Sequence, residues 1–502
     1  MPLVLMWRPD STSGPATAAS SAAIAWPSLG ASLAVACVAA ALAVIVGGLA
    51  AALLVLTDFP CRGLWTITLV VPFLCPPTVW GMGQVYCYGA SGLMERWFTS
   101  VWPAMRGWTS KGHYVPTALV LSQIYAPLSM LLLCRGFARL QLTGLEAARM
   151  YLPRLAFLRW LVGAVRPELV STYLLAFALG VGNFAVPHVL QCPLYPVEIY
   201  TRMTNYLDHR GALWIASPLL VMVVLATGLF SVIDRRTSYA TADPDPTFPA
   251  FSLGRWAWPV GAALVTYLGF TSLLPTAALL YECKSVTHFV EAVRQAAPET
   301  ETTILVGLAA SGLACVAGAA VGFWASSRAS LIRDVLAIVP IGIPALLVGL
   351  GYLRFYNRVW PVDLTALGDS SVLVVLGLTV RGWPFASRIM ATGHRRIATE
   401  WLDASHLSQI GLMRRWLWIT GPLMWQYAAA AAVVAFVLAA GEVEISQMLC
   451  APGSGTLALR LFTFLHFGPT HVAASLAVLE LVVTIVPVLI YSLLTNRSLH
   501  VV

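Results

Sequence analysis

Apolar residues run through this chain in long blocks, and the polar positions fall between the blocks instead of alternating within them. No charged residue occurs between Asp10 and Asp58, a stretch longer than the roughly 20 residues a helix needs to cross a bilayer. Backbone groups in lipid must be satisfied within their own segment, so blocks of this length predict helices. Eleven spans are expected, near 29–56, 65–88, 115–136, 167–190, 213–233, 256–281, 302–325, 334–353, 371–391, 422–448 and 470–494. The expected class is an all-α polytopic membrane protein.

Composition strengthens this expectation. Of 502 residues, 59% are hydrophobic and 10% charged, where a soluble domain has about a quarter charged. The net charge of +8 does not form a basic face. Its arginines sit singly or in pairs between apolar blocks, as in membrane-protein loops, so no nucleic-acid partner is expected and the bilayer is. Nine cysteines are scattered without a C-x-x-C pair, which fits ordinary small apolar positions better than a metal site or disulfide framework. Residues 1–26 lack the basic start and short apolar core of a cleaved signal peptide.

The loops alternate in charge. Arg62, the run from Arg135 to Arg166, Arg235, Arg236, Arg255, Arg328, Arg333, Arg395, Arg396, Arg414, Arg415 and Arg497 fall on one side. That side is the richer in arginine, so the positive-inside rule makes it cytoplasmic. The C-terminus is then inside and the N-terminus extracytoplasmic.

The chain also repeats itself. "VPFLCPPTVWGMG" (71–83) aligns with "VPIGIPALLVGLG" (339–351), which places Pro72 on Pro340 and Pro76 on Pro344. "YAPLSMLLLCRGFARLQLTGLEAA" (125–148) aligns with "GWPFASRIMATGHRRIATEWLDAS" (382–405), with Pro127 on Pro384 and Glu146 on Asp403. Prolines and glycines are common in membrane helices, which explains their number but not their shared register. The expectation is a duplication: two parallel five-helix repeats, residues 1–240 and 241–502, with the span at 256–281 as the connecting helix.

Two short polar segments interrupt the apolar pattern at matching points. In the first, within the loop at about 143–166, Thr143-Gly144-Leu145-Glu146 reads as a capping box at a helix start, and the acid complements the helix dipole. Ala147 and Ala148 give that turn a small surface that another protein can approach closely. Pro153 suits the opening of a following helix. The second, "DASHLSQIGLMRRWLW" (403–418), lies in the loop at about 395–420. A single copy would also fit an amphipathic linker lying on the membrane; a pair suggests docking to a two-fold partner.

At these points the sequence resembles a known family. "EAA" (146–148) and "DAS" (403–405), each in a loop before a core span, look like the EAA loop of binding-protein-dependent ABC importer permeases. "TDFPCRGLW" (57–65), "PVEIYTRMTNYLDHRG" (196–211) and "GEVEISQMLCAPGSGTLALRLFTFLHFG" (441–468) are similar to stretches of the fused, two-half permeases of the ferric-iron and thiamine type. The resemblance runs from about residue 30 to 495. It implies a bacterial inner-membrane subunit that works with a dimer of ABC ATPase subunits and an extracytoplasmic solute-binding protein. ATP and magnesium would be held by the partner ATPase, with no cofactor in this chain. Ferric iron is the first expected solute and thiamine the second.

Carried over by position, Glu146, Ala147, Ala148, Arg149 and Leu152 form the first ATPase-coupling segment, and Asp403, Ala404, Ser405, His406 and Gln409 the second. The chain departs from the family pattern at Leu152 and Gln409, where the family usually has glycine, and at Asp403 and Ser405 for the usual Glu and Ala. The family's usual extra N-terminal span has no counterpart.

No Walker A loop is present, because the two lysines are Lys111, followed by glycine, and Lys284, preceded by Cys283. Transport would therefore draw on a partner or on an ion gradient. Glu480, Glu442, Glu444 and His188 fall within expected spans, where ionisable residues are candidates for function, so a gradient-driven carrier stays open. Gly182-Asn183 and Gly441-Glu442 stand at equivalent points of the two halves. With Pro72, Pro76, Pro340 and Pro344, which would bend the second core span of each half, they are the candidates for the translocation path or for packing beside it. No catalytic residue and no resident metal are expected.

Overall fold

The computed structural model describes residues 25–89, 92–101, 114–140, 142–204, 209–238, 251–327, 331–358, 371–397, 401, 411, 414, 416–451 and 453–495. Among these residues the protein is helical throughout, apart from one isolated parallel bridge between Thr57 and Phe251. In chain order the first helices are α1 (Trp26–Leu56), α2 (Arg62–Leu74), α3 (Pro77–Tyr88), α4 (Leu93–Val101) and α5 (Tyr114–Ala138). They are followed by α6 (Leu142–Tyr151), α7 (Arg154–Ala164), α8 (Arg166–Val181), α9 (Ala185–Val189), α10 (Tyr195–Thr204) and α11 (His209–Ser238). Next come α12 (Ala257–Leu268) and α13 (Leu274–Glu282), joined by a π-helical turn at Gly269–Leu273, then α14 (Val286–Gln295) and α15 (Ala297–Ser327). The last are α16 (Leu331–Gly342), α17 (Ala345–Arg358), α18 (Val372–Arg395), α19 (Gly421–Ala440), α20 (Val443–Leu449), α21 (Leu457–Phe467) and α22 (Thr470–Thr495).

Among the described residues, eight helices are long and apolar enough to cross a membrane, or up to ten if each bent pair is one span. Their outward faces carry large apolar side chains such as Ile45, Leu49, Leu225, Leu229, Leu308, Val316, Leu489 and Leu493, all half exposed or more. An aqueous protein avoids such continuous apolar surface; with hydrocarbon as solvent it costs nothing. The molecule is a polytopic membrane protein.

Four of the expected spans are interrupted, and three of them, at 65–88, 167–190 and 334–353, leave no single long helix, which is why the long-helix count is eight and not eleven. The block at 65–88 divides into α2 and α3 at Cys75-Pro76, with a bend of more than 40°. The block at 334–353 divides into α16 and α17 at Ile343-Pro344. The blocks at 167–190 and 422–448 stop at Val181 and Ala440, and short helices α9 and α20 resume after Asn183 and Glu442. Pro72 and Pro340 lie inside α2 and α16, so the breaks fall at the second proline of each pair. Pro76 and Pro344 introduce the next helices, where a missing N–H is harmless.

Packing pairs α1 with α5 and α15 with α18 over long interfaces. Small residues allow close approach in both. A side chain at Gly47 would meet the Met130 amide at 2.7 Å, and one at Gly318 would meet the Ser387 amide at 2.8 Å. This is the device by which membrane helices gain contact where lipid supplies no hydrophobic drive. Contacts also cross between the two halves of the sequence: α11 packs on α16, α3 on α13 and α22, and α8 on α16.

Candidate functional site

The interrupted segments of the two halves meet one another. Gly182, just after α8, lies against Pro344; a Cβ there would sit 3.3 Å from the proline Cγ. Gly441, just after α19, lies against Pro76; a Cβ there would sit 2.7 Å from both the proline Cβ and Cγ. Each half of the chain thus sets its glycine on the other half's proline. Six of the eight residues expected along a translocation path, Pro76, Pro344, Gly182, Asn183, Gly441 and Glu442, come together at these two crossings. Pro72 and Pro340 sit one helical turn earlier. Phe73 of α2 and Phe385 of α18, with ring centroids 6.4 Å apart, make a further contact between the halves.

The second-half crossing is charged. Arg381, from the middle of α18, donates from Nη1 to the carbonyl oxygens of Ile341 and Ile343, each at 3.3 Å. It thereby caps the C-terminal end of α16, whose last carbonyls lack intrahelical partners and carry partial negative charge. Its Nε also lies 3.4 Å from Glu442 Oε2. Glu444, buried two residues on, accepts the Leu346 amide at 2.8 Å, and the Phe184 amide hydrogen-bonds the same carboxylate. Leu346 opens α17 and Phe184 precedes α9, so two helix N-termini converge on one acid. The break in the backbone is met by a cation on the carbonyl side and an anion on the amide side.

The first-half crossing is neutral. Asn183, the counterpart of Glu442, donates to the Tyr125 hydroxyl at 3.1 Å and accepts the Val186 amide at 3.0 Å, capping α9. Tyr125 in turn donates to the Leu179 carbonyl at 3.0 Å. Beside it, Gln84 donates to Gln123 Oε1 at 2.9 Å and to the Thr271 carbonyl at 3.0 Å. Arg388 of α18 pairs with Asp234 of α11 and lies over the Phe230 ring, which ties the halves again. Arg139 pairs with Glu168 at 3.0 Å between α5 and α8.

Arg381, Tyr125, Gln84, Gln123, Asp234 and Arg388 were not among the residues singled out from sequence. Arg381 had a usable signal, because an arginine ten residues inside an apolar block is costly unless it has a structural or functional partner. Glu480 lies fully buried in α22 with no hydrogen-bond partner on either carboxylate oxygen. Outside the spans, burial pushes the thiols of Cys192 and Cys450 up, which keeps them protonated and unreactive. All nine cysteines are free.

The first of the two polar segments, residues 142–151, forms α6. The helix begins at Leu142, so Thr143 lies in its first turn instead of ahead of it. Leu145 is buried in the cluster that α1, α2 and α5 build, and Ala148 is buried one turn on, so an apolar pair at i and i+3 fixes the helix more than the expected cap. Glu146 and Ala147 are exposed, as are Met150 and Tyr151 on the following turn. Leu152 is half buried at the end of the helix, and its amide bonds the Ala148 carbonyl at 3.0 Å. Arg149 lies 5.2 Å over the ring of Phe251. The second segment, with Asp403, Ala404, Ser405, His406 and Gln409, lies outside the described residues.

Among the described residues no group of three or more His, Cys, Asp or Glu side chains could hold a metal ion. No protein-family model matches the chain, and no curated protein matches it.

Proposed function

We propose that this chain is the membrane-spanning permease subunit of a binding-protein-dependent ABC importer, with both permease halves fused. The observation that carries the proposal is α6. It is a short helix between spans, anchored by Leu145 and Ala148, that turns Glu146 and Ala147 outward at the position where the sequence resembles an EAA loop. An acid and a small residue on an anchored helix suit insertion into a groove of an ATPase subunit. The segment at 403–409 is its twin in this proposal.

In this scheme two parallel five-helix repeats and a connecting helix make eleven spans in a bacterial inner membrane, with the C-terminus cytoplasmic and the N-terminus extracytoplasmic. A solute-binding protein delivers a small solute from outside, ferric iron first by resemblance and thiamine next. A dimer of ATPase subunits, which holds ATP and magnesium, drives the halves between two arrangements. The crossings of Gly182 on Pro344 and Gly441 on Pro76 are where relative motion of the halves would open or close a path. No bond in the solute need form or break, so the chain contributes positioning and gating and no catalytic residue.

The test is reconstitution of the chain with its ATPase and binding protein, in parallel with Glu146→Lys and Asp403→Lys. The expected result is loss of the ATPase complex and of binding-protein-stimulated ATP hydrolysis. Retention of both in the two variants overturns the coupling assignment.

Glu480 favours a second reading, an ion-gradient-driven carrier. A fully buried carboxyl without a hydrogen-bond partner is a group that proton or cation binding would relieve. Uptake into vesicles separates the two. Dependence on internal ATP and indifference to a protonophore supports the importer, and the reverse supports the carrier.

A further inference from the structure

The geometry points to a transition-metal site formed by His188 and His466, where α9 of the first half meets α21 of the second. The two imidazole centroids are 4.8 Å apart, with rings inclined at 58°. An imidazole nitrogen binds such ions at about 2.0–2.1 Å, which puts the ion roughly 3.2 Å from each centroid and gives an angle near 97° between the two ligands. That angle suits two neighbouring positions of a tetrahedral or octahedral ion.

The protonation pattern also suits it. His466 Nδ1 lies 2.8 Å from the Phe462 carbonyl oxygen, a contact that holds the proton on Nδ1 and leaves Nε2 as a free lone pair. Metal-binding histidines are commonly oriented by this kind of backbone hydrogen bond. His188 Nδ1 is buried without a hydrogen-bond partner. Gln447 donates to the Tyr200 hydroxyl, and its own Oε1 is buried and unpartnered as well. Phe184, Phe462 and Tyr200 pack around His188, with ring centroids 4.7, 5.0 and 5.6 Å from it, while His466 faces outward and leaves the pair accessible. Aromatic packing alone would be served as well by phenylalanine at 188, without an orphaned nitrogen.

Two neutral imidazoles supply nitrogen donors, which favour the borderline first-row cations over hard trivalent ions. Two protein ligands leave the remaining coordination positions to water, so the ion is held and can leave. The site is therefore not a station for ferric iron, and it does not depend on the solute that the importer reading names, because binding can be measured on this chain alone.

The experiment is calorimetric titration of Zn(II) into the purified full-length chain in detergent, together with His188→Gln, His466→Gln and His288→Gln. His288 forms the other close pair, with His471 at 4.9 Å, and so serves as the internal control. The expected result is one site that weakens at least tenfold in His188→Gln and in His466→Gln and stays within twofold in His288→Gln. Absence of binding, or equal binding in all four proteins, overturns the site. Should His188→Gln fail to fold, pulsed electron paramagnetic resonance of the wild type with Cu(II) decides. Nitrogen couplings from two imidazoles that fall to one in His466→Gln support the site, and couplings unchanged in that variant overturn it. Loss of ATPase-driven uptake with metal binding intact would count against the importer reading and not against this site.

Discussion

Glu442 and Arg381 form a pair in which neither member is replaceable alone. The Glu442 side chain is 11% exposed and the Arg381 side chain 26%, and Arg381 additionally holds the last carbonyls of α16. Removing one member of a buried pair strands the other, at a cost of about 3 kcal/mol. Glu442→Gln and Arg381→Met should therefore each lower the unfolding temperature of the detergent-solubilised protein. The double variant should lose less than the sum, which a double-mutant cycle of thermal unfolding checks. The glycines beside this pair make a second residue-scale prediction. At Gly441 an added methyl would sit 2.7 Å from Pro76, whereas at Gly182 it would sit 3.3 Å from Pro344. Overpacking costs about 1–3 kcal/mol, so Gly441→Ala should destabilise measurably and Gly182→Ala much less. Equal melting temperatures for the two variants would contradict the close approach at Gly441.

At the scale of elements, the short helices α9, α17 and α20 depend on what caps them, because so few residues cannot sustain a helix unaided. Glu444 receives amides from the starts of two of them. Glu444→Ala should loosen both together, at about 1–2 kcal/mol per lost cap, and hydrogen exchange should rise at Leu346 and at Phe184. Exchange that rises at only one site would separate the two helices. The position of these elements was legible in the sequence, and their character was not. Hydrophobicity marks a segment that prefers lipid, and it reads the same whether the backbone runs straight or breaks and is capped. Pro76 and Pro344 signalled a bend. That the bend is a complete interruption depends on Arg381 and Glu444, which reach the free backbone ends from helices distant in sequence. Arg381 lies more than 35 residues from Pro344 and Glu444 about 100, separations over which pattern alone carries no pairing. The capping of α6 shows the same limit. Its sequence gave a start signal at Thr143, yet burial of Leu145 and Ala148 set the register.

For the whole molecule, the two crossings make the halves interdependent, since each glycine packs on a proline of the other half. Arg388 with Asp234 adds a charged tie between α18 and α11. Asp234→Asn should weaken that tie and lower the melting temperature of the whole protein in one transition, without releasing one half before the other. Two separate transitions would show that the halves fold independently. The isolated bridge between Thr57 and Phe251 has a consequence of a different kind. Phe251 exchanges backbone hydrogen bonds with Leu56 and Asp58, its ring lies under Arg149, and it meets Phe157 of α7 edge-on at 5.8 Å. Phe251, near the start of the second half, is thus bolted onto the end of α1 and onto Arg149 of α6. A gene cut between codons 240 and 250 should therefore yield two polypeptides that find each other when co-expressed and co-purify. Phe251→Ala should impair that reunion while sparing the uncut protein. The covalent join, in that event, is a convenience of stoichiometry, and Phe251 with the backbone beside it adds a seam to the recognition that the two crossings and the Arg388–Asp234 pair already provide.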